Sequence, residues 1–170
     1  MREIPLTKGQ VAIVDDEDYE SLARLKWQAH HAGGRGGYYA CHSFNQGGKV
    51  RSLWMHLVIL DAPEGTEGDH INHNTLDNRR HNLRLATTRQ NHQNMRKALR
   101  PSSSRYKGVG WRPSRRKWHA RILANGRRLH LGYFRTEHEA ATAYNKAALH
   151  HFGEFACLND LVPDPARSAT

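Results

Sequence analysis

The sequence predicts an α+β fold with a β-rich N-terminal part, and three observations carry it. Short apolar-alternating segments end at turn signals, as half-buried strands do. Two Thr-x-x-Gln/Glu capping boxes open helical stretches. One Asn-Gly dipeptide, Asn125-Gly126, sits between two alternating segments and marks a tight hairpin.

In chain order, Gln10-Val-Ala-Ile-Val14 reads as a strand and Asp15-Asp-Glu-Asp18 as an acidic turn. Residues 19–27 follow with helix-like spacing at Leu22, Leu25 and Trp27. Gly33-Gly-Arg-Gly-Gly37 reads as a turn whose spacing is too irregular for a dinucleotide loop. Residues 38–44 and 50–60 read as strands around the Asn45-Gln-Gly-Gly48 turn, with His56 a packed residue inside the second, apolar run. A turn-rich connection over residues 61–68 precedes Asp69-His-Ile-Asn-His-Asn74. The box Thr87-Thr-Arg-Gln90 predicts a basic helix over residues 88–99, and Arg100-Pro-Ser-Ser-Ser104 stops it as a linker.

A compact second unit begins at Arg105. Residues 106–111, 117–124 and 127–133 read as three strands, with Arg112-Pro-Ser-Arg-Arg116 a turn. Thr136-Glu-His-Glu139 opens an alanine-rich helix to about Phe152, with Gly153 closing it. Period two puts Trp118, Ala120 and Ile122 on one face and His119, Arg121 and Leu123 on the other. Ala140, Ala141, Tyr144, Ala147 and Ala148 let the helix lie on the apolar face, leaving a basic sheet face uncovered. The expected divisions are residues 1–53, 54–97, a linker over 98–104, a second unit over 105–160 and a frayed tail from 161.

Composition narrows the function classes. The 170 residues carry 26 Lys+Arg against 16 Asp+Glu, a formal charge of +10, with 38% hydrophobic residues and a mean hydropathy of −0.82. No apolar stretch has the length of a membrane-spanning helix, so no membrane partner is expected. The first residues lack the apolar core of a secretory signal, so a cytoplasmic location is expected. Cys41 and Cys157 stand apart without a Cys-x-x-Cys pair, which argues against a structural zinc site or a disulfide scaffold.

The charge is unevenly placed. Residues 78–136 hold 17 Lys and Arg and no acid. Such a block is a polyanion-binding footprint, because phosphate contacts release counterions. Residues 1–77 are net −4, which favours buttressing over nucleic-acid contact for the N-terminal part.

Asp69-His70, followed by Asn82 and Asn91, suits metal-assisted phosphodiester hydrolysis. A carboxylate and an amide oxygen are hard ligands for Mg²⁺, and an adjacent imidazole takes a proton near neutral pH. By spacing alone a polar turn rich in Asp, His and Asn remains the other reading.

Asp69-His-Ile-Asn72, Leu76-Asp-Asn-Arg-Arg80, Asn82-Leu-Arg-Leu-Ala-Thr87 and Gln90-Asn91 resemble the HNH endonucleases of phage and intron origin. The resemblance covers about residues 54–94 and implies a ββα-metal unit. It implies His70 as general base, Asp69 and Asn91 as ligands of one divalent metal, and Asn82 as the residue that ties the loop and orients the base. Asn91 stands where many relatives have His, a style that implies Mg²⁺ or Mn²⁺ rather than zinc. His73, where relatives often have Gly, is open between metal, phosphate and no contact. His92, one helical step from Asn91, is a phosphate contact or a surface residue.

The second unit is similar to the APETALA2-type DNA-binding domain of plant transcription factors. Tyr106-Lys-Gly-Val109, Lys117-Trp-His-Ala-Arg-Ile122, Leu131-Gly-Tyr-Phe134, Glu139-Ala-Ala-Thr-Ala-Tyr144 and Ala147-Ala148 carry the likeness over residues 103–159. It implies a three-stranded antiparallel sheet packed on one helix and docked in a major groove, with Lys107, Arg112, Arg121, Arg128 and His130 as contacts. Gly110, Ser114, Leu123 and His130 depart from the best-known plant members, so their target sequence does not carry over. Arg96 and Lys97 of the basic helix are expected to add DNA contacts.

The joint expectation is a site-specific endonuclease acting on double-stranded DNA, leaving 5′-phosphate and 3′-hydroxyl ends, as a monomer or DNA-dependent dimer. If phage-encoded, it works in the host-cell cytoplasm. The alternative is a non-catalytic DNA-binding regulator with a decayed HNH unit. RNA binding is a third option.

Overall fold

The computed structural model describes residues 1–31, 37–97 and 101–161, and the chain divides into two compact units, Met1–His92 and Gln93–Thr170. The expected turn over residues 33–36, the end of the basic helix at residues 98–100 and the tail beyond 161 lie outside the described residues. Both units combine helices and strands, so the fold class is α+β.

The first unit opens with β1 (Arg2–Pro5) paired antiparallel to β2 (Val11–Val14). Helix α1 (Asp16–Leu22) begins inside the acidic run that the sequence suggests as a turn. Asp16, Glu17 and Asp18 form its first turn, where carboxylates suit the positive end of the helix dipole. The helix ends at Leu22, and Trp27 reaches back to donate its Nε1–H to the Leu22 carbonyl at 2.8 Å.

A meander comes next in the order β3 (Gln28–His31), β4 (Tyr38–Gln46), β5 (Lys49–Trp54). The strand expected over residues 50–60 stops at Trp54 and continues as a short helix α2 (Met55–Ile59). A continuous apolar run has no period to separate strand from helix. Here Met55 and Ile59, four apart, are both buried in the core, and that spacing is a helical one.

The last part of the unit is a hairpin of β6 (Glu67–His70) and β7 (Leu83–Ala86), followed by α3 (Thr88–Asn94). Thr87 and Gln90 form the expected reciprocal cap. One core joins the whole unit: Ile4, Ala12, Val14, Leu22, Trp27 and Ala40 pack with Met55, Ile59 and Leu83.

The second unit is a three-stranded antiparallel sheet with β9 central: β8 (Val109–Arg112), β9 (Lys117–Ala124) and β10 (Arg127–Phe134). The β8 strand is shorter than residues 106–111 suggest, because Tyr106 turns inward as a buried core residue. Asn125 and Gly126 have φ of 51° and 73°, the paired left-handed conformation of a two-residue hairpin turn. Helix α4 (Glu137–Phe152) starts at a Thr136–Glu139 capping box and ends at Gly153. Ala140, Ala141 and Ala148 are fully buried with Ala120, Ile122 and Tyr144, so small side chains set how closely the helix approaches its sheet. Asn159 closes the unit by exchanging hydrogen bonds with the Lys107 backbone and with Asn145. Cys41 and Cys157 are buried free thiols.

Among the described residues no helix is long and apolar enough to cross a membrane. Because Ala141 is fully buried against the sheet, Ala141→Leu should destabilise the chain by about 1–3 kcal/mol. A lowered urea midpoint at an unchanged slope would check this; an unchanged midpoint would refute the close approach.

Candidate active site

The β6–β7 hairpin aligns Asp69 directly opposite Arg84 and His70 opposite Leu83. Successive strand residues point to opposite sides, so Asp69 and His70 serve different neighbourhoods. Arg84 donates from Nε (2.8 Å) and Nη2 (2.6 Å) to Asp69 Oδ2, and both side chains are nearly buried. Such a pair breaks at high cost, because removing one partner strands the other charge.

His70 is 4% exposed, and its Nε2 lies 3.3 Å from Asn78 Oδ1. Asn78 donates its own Nδ2–H to the Leu76 carbonyl, which fixes its amide so that Oδ1 faces the ring. A carbonyl oxygen only accepts, so Nε2 carries the hydrogen and the basic lone pair is on Nδ1. Burial holds the His70 pKa below the usual histidine value, so the ring is neutral at physiological pH.

Two further rings wall this histidine. His56, from α2, lies with its ring centroid 5.0 Å from that of His70, and Tyr39, from β4, is 5.8 Å away. Burial, then repulsion from His70, pushes the His56 pKa down to about 3. Gly68 makes the packing feasible: a Cβ there would stand 2.3 Å from His56 Cδ2. The sequence reading of His56 as a packed residue is right, but no local signal places it beside His70.

Asn82 holds the loop between the strands. Its Oδ1 accepts from the Asn72 backbone N–H at 2.9 Å, and its Nδ2 donates to the Asp77 carbonyl at 2.7 Å. Asn72 also donates to Asp77, whose carboxylate is gripped by Arg79 and kept below the usual aspartate range by it. His73 occupies a left-handed turn position, φ 65°, with its N–H on the His70 carbonyl. From the other side, β2 flanks this loop: Ile13 donates to Leu76 and accepts from Asn78. Arg80 is anchored on α1, with its side chain on Asp18 and Glu17 and its backbone N–H on Asp15.

Asn91, on α3, donates Nδ2–H to Glu67 Oε2 at 2.7 Å. Glu67 precedes Asp69 by two positions, on the same side of β6. Hydrogen bonds from Thr88 and Asn91 hold the Glu67 carboxyl below its usual range. His92, one step on, is exposed. Among the described residues no three His, Cys, Asp or Glu are grouped as a metal cage. The donors present are hard oxygens, the Asp69 and Glu67 carboxylates and the Asn91 amide. They fit a cation that takes few protein ligands and keeps its waters, as Mg²⁺ does.

Sequence reasoning missed Glu67, Asn78 and Arg84 as partners of the expected residues. Asn78 and Arg84 lie inside the motif segments themselves, while Glu67 is marked only by period two from Asp69.

In the second unit, Arg112, Arg121, Arg128 and His130 are exposed. Arg121 and His130 are direct cross-strand partners. His119 lies on the same face over Gly110, with its ring near His130. Lys107 is placed differently from the expectation: its half-buried ammonium donates to the Gln93 (2.8 Å) and Met95 (2.6 Å) carbonyls. It caps the end of α3, which stops at Asn94 rather than running through residues 95–97. Lys97 likewise turns inward, onto Ser102 Oγ (2.6 Å) and the Ser104 carbonyl. Burial lowers the pKa of both lysines. Arg96 is exposed.

Residues 61–93 match a family described as HNH endonuclease. An uncharacterised HNH endonuclease of Acanthamoeba polyphaga mimivirus is 32% identical over 154 residues, spanning 91% of this chain and 77% of that protein. An AP2-like ethylene-responsive transcription factor of Arabidopsis thaliana is 36% identical over 69 residues, 41% of this chain but 14% of its own length. Protein 3.8 of Escherichia phage T7 is 36% identical over 77 residues, 42% of this chain and 63% of its own.

Buried neutral His56 has a consequence for stability. Its folded pKa lies below its unfolded value of about 6.5, so the unfolded chain binds the extra proton. The stabilisation is complete above about pH 6.5 and is lost as pH falls from there toward 3, with His70 acting in the same direction. Urea midpoints should therefore drop between about pH 7 and pH 4, and His56→Phe should flatten that drop. An identical pH dependence in the variant would contradict the buried neutral ring.

Proposed function

The chain belongs to the HNH endonuclease family, and on that premise we propose that it hydrolyses phosphodiester bonds of double-stranded DNA, with His70 as general base. The observation that carries the reading is the Asn78–His70 hydrogen bond beneath a loop pinned by Asn82. It directs the basic Nδ1 of a neutral ring outward from its anchor, as a base for water requires. Asn78 and Asn82 are positioning residues in this reading. His70 takes the proton from water as the water oxygen bonds to phosphorus. The bond from phosphorus to the 3′-oxygen breaks, and the departing oxygen takes a proton from solvent, leaving 5′-phosphate and 3′-hydroxyl ends.

Asp69 and Asn91 would hold one divalent cation, Mg²⁺ or Mn²⁺, which when bound neutralises the phosphate and the departing oxygen. Arg84 holds the Asp69 carboxylate in place. Glu67 accepts from Asn91 Nδ2, which fixes the amide and leaves its oxygen as the atom a cation would take. Residues 1–53 support this site through β2 and α1, which brace the loop.

The second unit acts as a DNA-binding module of APETALA2 type, a reading supported by its three-stranded sheet on one helix and the partial likeness to the Arabidopsis protein. Arg112, Arg121, Arg128 and His130 would face the major groove, with Arg96 nearby in sequence adding a phosphate contact. Lys97 and Lys107 are left out, because their ammonium groups serve backbone carbonyls and a hydroxyl of their own unit.

A supercoiled-plasmid assay tests the catalytic reading. The native chain should nick or linearise the plasmid with Mg²⁺ and stop with EDTA. His70→Ala should lose cleavage by about 10²-fold or more while keeping duplex affinity. Retained cutting would overturn the base assignment, and tight binding with no metal-dependent cutting by the native chain would favour a regulator. For the module, Arg121→Glu with Arg128→Glu should weaken duplex binding at least about tenfold at low salt, measured by fluorescence anisotropy. Unchanged affinity would remove the sheet from the DNA interface.

A further inference from the structure

The acids and bases of the first unit are separated in a way that its net charge conceals. No Asp or Glu occurs between Glu20 and Asp61, whereas Arg24, Lys26, Arg35, Lys49 and Arg51 do. Five of the six acids before that stretch serve internal pairs: Asp15, Glu17 and Asp18 bind Arg80, Asp16 meets the chain's amino terminus, and Glu20 meets Arg2. The acid-free stretch contains the β3–β4–β5 sheet.

Strands β4 and β5 continue past the core as a two-stranded arm. Their pairing runs from Cys41↔Trp54 to Gln46↔Lys49, and every one of residues 44–53 is exposed. Phe44, Val50 and Leu53 are exposed apolar residues, Val50 at 76%. Register puts Phe44 opposite Arg51 and Gln46 opposite Lys49 on one face, and Asn45 opposite Val50 on the other. An isolated two-stranded ribbon is marginal in water and gains from a surface to lie on. The base of the arm belongs to the wall of the active site: Tyr39 of β4 stands beside His70, and Trp54 of β5 lies 6.1 Å from Tyr39.

We propose that the β4–β5 arm is a second DNA-contacting element, lying along the same duplex next to the phosphate presented to His70. Three features select duplex DNA as the occupant. The stretch is cationic and free of acids, complementary to a phosphate backbone. A two-stranded ribbon has the width that a major groove admits, and the face that carries Lys49 and Arg51 also carries Gln46, so one side of the arm offers both phosphate and base-edge contacts. The arm springs from the wall of the site where the proposed reaction puts the scissile bond. The inference rests on that reading of the chain as a DNA endonuclease.

Two variants of the full chain test it. Lys49→Glu with Arg51→Glu changes only exposed arm positions and should weaken binding to a long random-sequence duplex about tenfold, with the salt slope reduced by about 2. Phe44→Cys, opposite Arg51 on the cationic face and labelled with an azidophenacyl photocrosslinker while Cys41 and Cys157 are buried, should crosslink to that duplex, whereas labelled Leu149→Cys on α4 should not. Unchanged affinity and slope in the double variant would overturn the proposal. So would the absence of a Phe44 crosslink to DNA, or a crosslink between two protein chains in its place. Failure of the unsubstituted chain to bind or cut duplex DNA would instead sink the endonuclease reading beneath it.

Discussion

The side chain of Asn82 bridges two backbone positions of one loop, Asn72 and Asp77, from a buried position at the end of that loop. The bridge closes a ring of chain that carries Asn78, and Asn78 in turn meets His70. A buried amide with both ends satisfied is rigid, and leaving either end unpaired costs about 1–3 kcal/mol. Every other device near the loop reinforces the same closure: Asp77 between Asn72 and Arg79, the backbone exchange with Ile13, and Arg80 on the acids of α1. The histidine sits over a hydrogen-bonded scaffold that holds its ring against Asn78.

Much of this is legible in the sequence where local chemistry decides structure. The Asn125-Gly126 turn, the Thr136–Glu139 box and the alternation of β9 appear as read, because each depends on residues within a few positions. Asp69, His70, Asn82 and Asn91 stand out by residue type and spacing, and all four prove to be bonded to residues within the same hairpin-and-helix segment. The illegible part depends on distant stretches of the chain. The turn from β5 into α2 reflects burial of Met55 and Ile59 in a core shared with Ile4 and Val14, contacts that no window around Trp54 contains. Lys97 is expected at DNA from the charge of a basic helix and Lys107 from the APETALA2 likeness, and neither signal carries the direction in which an ammonium group is held.

Net charge misleads at a second place for the same reason. The N-terminal part sums to a negative value, yet the acids of its first twenty residues are largely committed to cations of their own unit, and the sheet is left with the bases. A charge total describes a field only at distances longer than the spacing between charges. At contact with a ligand, which charges are already paired matters more than how many there are.

The hydrogen bonds between Ile13 and residues 76 and 78 have an evolutionary side. A ββα unit is short enough to look portable, a segment that recombination could move between genes. In this chain the loop between β6 and β7 borrows an edge from a strand about sixty residues upstream, so the inheritable piece is the whole first unit. The division between the two compact units falls instead at Gln93, within α3. A piece moved without β2 would lose the backbone bonds that brace residues 76 and 78.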